Sequence, residues 1–320
     1  MGTSPRWHAV DAFKLTFGDF KAHPGTTFGL AAVLSIPVAL LSAYEALRPS
    51  VSSLLLQASV SFAIGIWLSF AIICMTKQYA HDSDPGIGAM LRTSLSRRLI
   101  TFATTQLLLI LVETLAVVIA LLPLVFAFAS LGSPANLSPD QLTAATATML
   151  FVAFMLSLGL SIALLLGIYL RYGLAPVASA MEGRSPIRSF TRSRQVTEGN
   201  KLDFFVLLLI TLGLGLAVAV LVNGPGMVVS AGAAAPAPPA NPGSLTDWLL
   251  MLSRHEPLAP AAAVVLALSD YLAYAVGTSI SAALLANFYL EISGDEAARV
   301  RRQQTVQLEG GPKAPTRPTG

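Results

Sequence analysis

Six long apolar runs, at about 28–46, 53–75, 101–128, 149–172, 204–222 and 262–289, constrain this sequence more than any other feature. Each is close to or above the roughly 20 residues that a helix needs to cross the hydrocarbon of a bilayer. Lipid offers no partner to a backbone N–H or C=O, so each run must satisfy its own polar groups as a helix. Composition agrees. Only 12% of the residues are charged, against roughly a quarter in soluble domains, and the mean hydropathy is +0.68. The chain therefore reads as an all-α, polytopic membrane protein with six transmembrane helices. Residues 27–292 form the membrane domain, 1–26 an N-terminal amphipathic helix and 293–320 a largely disordered tail. Pro37 and Pro123 fall inside apolar runs and are expected to kink them. The single cysteine, Cys74, lies in an apolar run, so no disulfide framework is expected.

Orientation follows from the basic residues in the connections. Arg6, Lys14 and Lys21 precede the first run. Lys77, Arg92, Arg97 and Arg98 lie between the second and third. Arg171, Arg184, Arg188, Arg192, Arg194 and Lys201 lie between the fourth and fifth, and Arg299, Arg301, Arg302, Lys313 and Arg317 follow the sixth. All of these fall on one side of the membrane, leaving Arg48 and Arg254 on the other. Both termini are thus expected on the cytoplasmic side of the membrane.

The cytoplasmic connections carry amphipathic patterns. Trp7, Val10, Phe13, Phe17 and Phe20 recur at steps of three or four, while Asp11, Lys14, Asp19 and Lys21 fall elsewhere. A helix with this pattern lies in the interface plane. Ser185 suits an N-cap, Pro186 the first helical position and Gly199 the stop of a second such helix. At an offset of 100, Ile87, Ala89, Met90, Arg92 and Thr93 align with Ile187, Ser189, Phe190, Arg192 and Ser193. This suggests three tandem units, each an in-plane helix followed by a transmembrane hairpin, in parallel orientation. On the opposite side, "SLTDWLLMLSRH" reads as a short helix starting at Ser244.

The stretch "RYGLAPVASAMEGRSPIRSFTRSRQVTEGN" resembles a pattern of the glycerophosphoryl diester phosphodiesterase membrane-domain family and allied uncharacterised bacterial six-helix proteins. The matching positions are Arg171, Tyr172, Pro176, Glu182, Gly183, Pro186, Ser189, Arg192, Ser193 and Gly199. Some members of that family fuse this domain to a soluble phosphodiesterase barrel, which has no counterpart in these residues. The resemblance implies a membrane domain of unknown biochemical role in a bacterial inner membrane, with a connection to lipid.

Two acids interrupt the spans, Glu113 in the third and Asp270 in the sixth. A charge at mid-bilayer costs on the order of 3 kcal/mol on the insertion scale. Two readings stand. The acids form a proton or cation relay, or each is protonated and hydrogen-bonded between helices by Ser, Thr or Gln. Counted along the helices, their depths are close enough to share a cavity. Arg97, Arg98, Arg184, Arg188, Arg192 and Arg194 are candidates to hold anionic headgroups, which attract juxtamembrane cations by about 1 kcal/mol each. Small residues, among them Gly159, Gly167, Gly277 and Ala282, permit close helix contact and self-association.

No phosphate loop, dinucleotide fingerprint or zinc-protease helix occurs in the sequence, and no metal or cofactor is expected. The sequence favours a non-catalytic membrane protein engaged in lipid organisation or complex assembly. Its expected partners are membrane lipids and other proteins or a second copy of the chain, not nucleic acid. A transporter or channel built on Glu113 and Asp270 is the second reading, and a lipid-modifying enzyme the third.

Overall fold

The computed structural model describes residues 8–81, 83, 85–130, 144–222, 224 and 258–294. The helix expected from Ser244 and the tail beyond Gly294 lie outside the described residues. Among those described there is no strand. The helices in chain order are α1 (His8–Ala22), α2 (Pro24–Leu47), α3 (Val51–Ala80), α4 (Ile87–Ser94), α5 (Arg97–Ala120) and α6 (Leu122–Ser130). They continue as α7 (Ala144–Tyr172), α8 (Ala175–Glu182), α9 (Pro186–Thr197), α10 (Lys201–Leu221) and α11 (Pro260–Ser293).

Six helical stretches are long and apolar enough to cross a membrane: Pro24–Leu47, Val51–Ala80, Arg97–Ser130, Thr146–Glu182, Lys201–Leu221 and Pro260–Ser293. Each coincides with one expected run, so the chain has the make-up of a multi-pass membrane protein. Several continue past the apolar run as polar or aromatic turns, because a helix does not end where lipid does. Local chemistry sets the ends. Ser50 and Ser53 form a reciprocal capping box at the start of α3, with both Ser–backbone distances 3.0 Å. Proline sits in the first turn of α2, α8, α9 and α11, where its missing N–H costs nothing. Pro37 lies inside α2. The third stretch divides at Leu121, two residues before Pro123, which cannot donate to the ladder.

The chain forms two compact units, one of residues 1–100 and 202–320, the other of residues 101–201. In the first, α11 packs on α1, α2 and α3, and α3 also packs on α4. Ala275, Ala282, Ala283 and Ala286 are buried along α11 and let neighbouring backbones come close. Phe288 stacks on Phe204 at 5.5 Å between ring centroids. In the second unit α6 runs along α7, and α9 packs on both α7 and α8. Large side chains such as Phe126, Leu156 and Leu111 stay exposed, as lipid-facing positions require.

Helix α1 departs from the simple amphipathic expectation. Its aromatic strip is present: Phe13, Phe17, Phe20 and Phe28 follow one another at 4.7, 6.3 and 5.8 Å. Yet the face that packs inward is Ala9, Ala12, Thr16 and Asp19. Asp19, expected among the solvated positions, is only 3% exposed, whereas Val10 and Phe17 are exposed. Small residues win the helix contact because they allow a closer approach than aromatic ones. Phe20 is buried beside them, and Val10 and Phe17 are left outward, as a bilayer interface would accept.

Candidate functional site

The resembling stretch folds into a clasp at the end of α7. The chain turns at Gly173–Leu174 and enters α8, whose residues Ala175 to Met181 are all buried, Pro176 among them. Gly183 ends α8 in the left-handed region, at φ 66°, where a β-carbon is strained. Ser185 then starts α9 with Pro186 in its first turn, although the Ser185 side chain makes no capping bond. The Ser185 carbonyl instead accepts from the hydroxyl of Ser189, at 3.0 Å.

Glu182 ties the clasp together. Its carboxylate accepts from Arg184 through one oxygen and from Arg192 Nε, at 2.9 Å, through the other. Ser193 Oγ donates to the carbonyl of Arg171 at 3.0 Å, so α9 caps the last turn of α7. Tyr172 packs against Phe190, with centroids 5.6 Å apart. Gly199, at φ 98°, turns the chain into α10, and Asn200 braces the turn through the Val196 carbonyl at 3.2 Å. Every motif position on this stretch thus has a local structural use.

The arginines divide into two kinds. Arg184 and Arg192 are drawn onto Glu182, which offsets part of their charge. Arg188 and Arg194 point outward and are exposed, beside Ile187 at 78% exposure. Arg97 and Arg98 are likewise exposed, at the start of α5 in the other unit. Among the described residues, no group of three or more His, Cys, Asp or Glu side chains is arranged to hold a metal.

The two intramembrane acids belong to different units. In the unit of α11, Asp270 accepts a hydrogen bond from Ser42 of α2. One turn further on, Tyr274 donates to the Ser61 carbonyl of α3. Gly65 makes that approach possible, since a β-carbon there would stand 2.6 Å from the Tyr274 hydroxyl oxygen. Glu113 lies on α5, in the other unit.

The sequence did not point to a polar knot at the α1 end of the first unit. Asn287, 1% exposed, donates through Nδ2 to Thr16 Oγ1 at 3.0 Å and to Asp19 Oδ2 at 3.4 Å. Thr16 Oγ1 in turn donates to the Ala12 carbonyl at 2.8 Å. His23 stacks on Tyr79 at 4.3 Å, and the Tyr79 hydroxyl lies 3.4 Å from Thr27 Oγ1. A signal was present in the i, i+3, i+7 row Ala9, Ala12, Thr16, but the aromatic row beside it is stronger. Similarly, Trp67 Nε1 donates to Ser94 Oγ at 2.8 Å and pins α4 to α3.

The glycines expected at helix contacts behave unequally. A β-carbon at Gly277 would meet Val218 at 4.0 Å, whereas at Gly159 or Gly167 it would meet open space. Gly167 lies in a groove of about 380 Å³ along the end of α7, which also takes in Arg171 and Lys201.

Comparison with curated proteins finds no match, and comparison with solved structures finds none either. The sequence model of one family matches residues 22–299, which covers every helix from α2 to α11. On that match the chain belongs to the DUF7847 family, described as a domain of unknown function.

Proposed function

We propose that this protein is a non-catalytic, six-span protein of a bacterial inner membrane that organises anionic lipid or assembles a complex at the inner leaflet. Both termini face the cytoplasm in this reading, and α1, α4 and α9 lie along the inner surface. The order of elements suits a threefold plan, in which a short helix precedes each pair of spans. The lipid-related role also draws on the resemblance to the phosphodiesterase membrane-domain family.

One observation carries the reading. Helix α9 presents Arg188 and Arg194 outward together with Ile187, while Glu182 restrains the arginines nearer the α8–α9 turn. A helix with exposed cations beside an exposed aliphatic side chain suits the boundary between headgroups and acyl chains. The test is lipid analysis of the full-length protein purified from native membranes. Replacing Arg188 and Arg194 together by Gln lowers the retained phosphatidylglycerol and cardiolipin relative to phosphatidylethanolamine. Unchanged retention overturns the reading.

A transporter is the second reading. It is favoured by Ser35 of α2 and Ser279 of α11, fully buried hydroxyls without a hydrogen-bond partner among the described residues. With Asp270 they give the α2–α11 pair polar groups along its length. Flux measured in proteoliposomes, abolished by Asp270→Asn or Glu113→Gln, would favour this reading over the first.

A further inference from the structure

The groove at the end of α7 joins two chemistries that only an amphiphile satisfies at once. Its wall is formed by two adjacent i, i+4 rows of α7. Ala163 and Gly167 lead to Arg171, and Leu164 and Ile168 lead to Tyr172. Each row covers eight residue steps, so the wall runs about 12 Å along the helix axis at 1.5 Å per residue. The first four of these side chains are apolar and lie in a membrane-spanning segment. Lys201, at the start of α10, completes the groove at its charged end. The volume of about 380 Å³ falls within the roughly 300–1,000 Å³ of small-molecule sites.

A β-carbon at Gly167 would find no atom within 4 Å. Glycine here therefore serves no helix contact inside this unit, and the groove is open beside it. The charged end is held in place by the clasp. Ser193 fixes the last turn of α7 through the Arg171 carbonyl, and Phe190 braces Tyr172. The left-handed turn at Gly199 brings Lys201 back to the end of α7. Neither Arg171 nor Lys201 takes part in the ion pairs of Glu182, whose partners are Arg184 and Arg192.

We infer that this groove binds one anionic phospholipid, with an acyl chain along Ala163–Gly167 and the phosphate between Arg171 and Lys201. The inference deepens the lipid-related reading and rests on its placement of this end of α7 at a leaflet surface. It differs from it in the residues used. Arg188 and Arg194 on α9 act on the surrounding leaflet, whereas Arg171 and Lys201 hold a single molecule. Tyr172 lies at headgroup level, where aromatic side chains are enriched.

The experiment is native mass spectrometry of the full-length protein, delipidated in detergent and titrated with phosphatidylglycerol, phosphatidylcholine or inorganic phosphate. The wild type retains one phosphatidylglycerol in preference to phosphatidylcholine. Replacing Arg171 and Lys201 together by Gln weakens that binding about 30-fold, taking about 1 kcal/mol per cation and 1.4 kcal/mol per tenfold. Gly167→Leu fills the groove and removes the bound lipid, while the melting temperature in detergent stays near wild type because its β-carbon meets open space. Retention of the lipid by Gly167→Leu, or equal retention of phosphatidylcholine, overturns the site. Full competition by inorganic phosphate also overturns it, since the apolar wall would then contribute nothing. Arg188→Gln with Arg194→Gln separates the two readings. If these lower general anionic-lipid retention while the groove variants change nothing, the site fails and the leaflet reading stands. If neither pair has an effect, both fail.

Discussion

Asp270 of α11 accepts its hydrogen bond from Ser42 of α2, so the carboxyl in the sixth span is matched to a hydroxyl in the first. Tyr274, one turn along, reaches the Ser61 carbonyl on α3, and Asn287 near the far end reaches Thr16 on α1. Helix α11 thus makes polar contacts to α1, α2 and α3. In a bilayer, burial of apolar surface does not favour helix–helix contact over helix–lipid contact. Close packing and interhelical hydrogen bonds carry the association instead.

If the Ser42–Asp270 contact is structural, Ser42→Ala lowers stability by about 1 kcal/mol, within the range for interhelical hydrogen bonds in membranes. Asp270→Asn keeps an acceptor of the same shape and unfolds near the wild-type temperature. Thermal unfolding in detergent checks both. Loss of proton or cation flux in Asp270→Asn with unchanged melting would instead assign the acid to transport.

Gly65→Ala pushes a methyl into the Tyr274 hydroxyl and destabilises the first unit by about 1–3 kcal/mol, the usual cost of overpacking. Tyr274→Phe removes the oxygen that the methyl meets. The double variant therefore loses less than the sum of the two single losses, because the clash is absent from it. Additive losses in a double-mutant cycle would show that Gly65 and Tyr274 do not meet.

Asn287→Ala removes the donor shared by Thr16 and Asp19 and costs about 1–3 kcal/mol, the penalty for stripping a buried hydrogen-bond partner. The effect concentrates at α1, whose inner face is small and polar rather than broadly apolar. Hydrogen exchange of residues 8–22 rises more than that of α2. Equal protection of α1 in variant and wild type would show that the knot does not hold it.

Arg188 is exposed on α9 and serves as a reporter of sidedness. With Cys74→Ser removing the native thiol, Arg188→Cys is labelled by a permeant maleimide in intact cells and spared by an impermeant one. Labelling by the impermeant reagent from outside would reverse the proposed orientation.

The six spans were legible in the sequence because lipid imposes a length and a hydropathy on each helix independently of its neighbours. Each apolar run answers to that solvent alone, so its position survives without any knowledge of packing. The turn chemistry was legible for the same reason: Pro186 at a helix start and Gly199 at a left-handed turn reflect backbone constraints within a few residues. The candidate arginines were legible as a cluster, but their division into paired and exposed members was not. That division depends on Glu182 reaching a residue ten positions away through the α8–α9 turn.

Partners distant in sequence were decided by tertiary structure alone. Asn287 meets Thr16 across 271 positions, and Ser42 meets Asp270 across 228. No local pattern encodes such a pair, because the periodicity of a helix states which residues share its face and not which helix that face meets. The burial of Asp19 and the open space beside Gly167 have the same origin. The sequence by itself determined what must lie in lipid, since that is a property of each segment against a uniform solvent. Only packing decided which small, polar and charged side chains face one another, since that is a property of pairs.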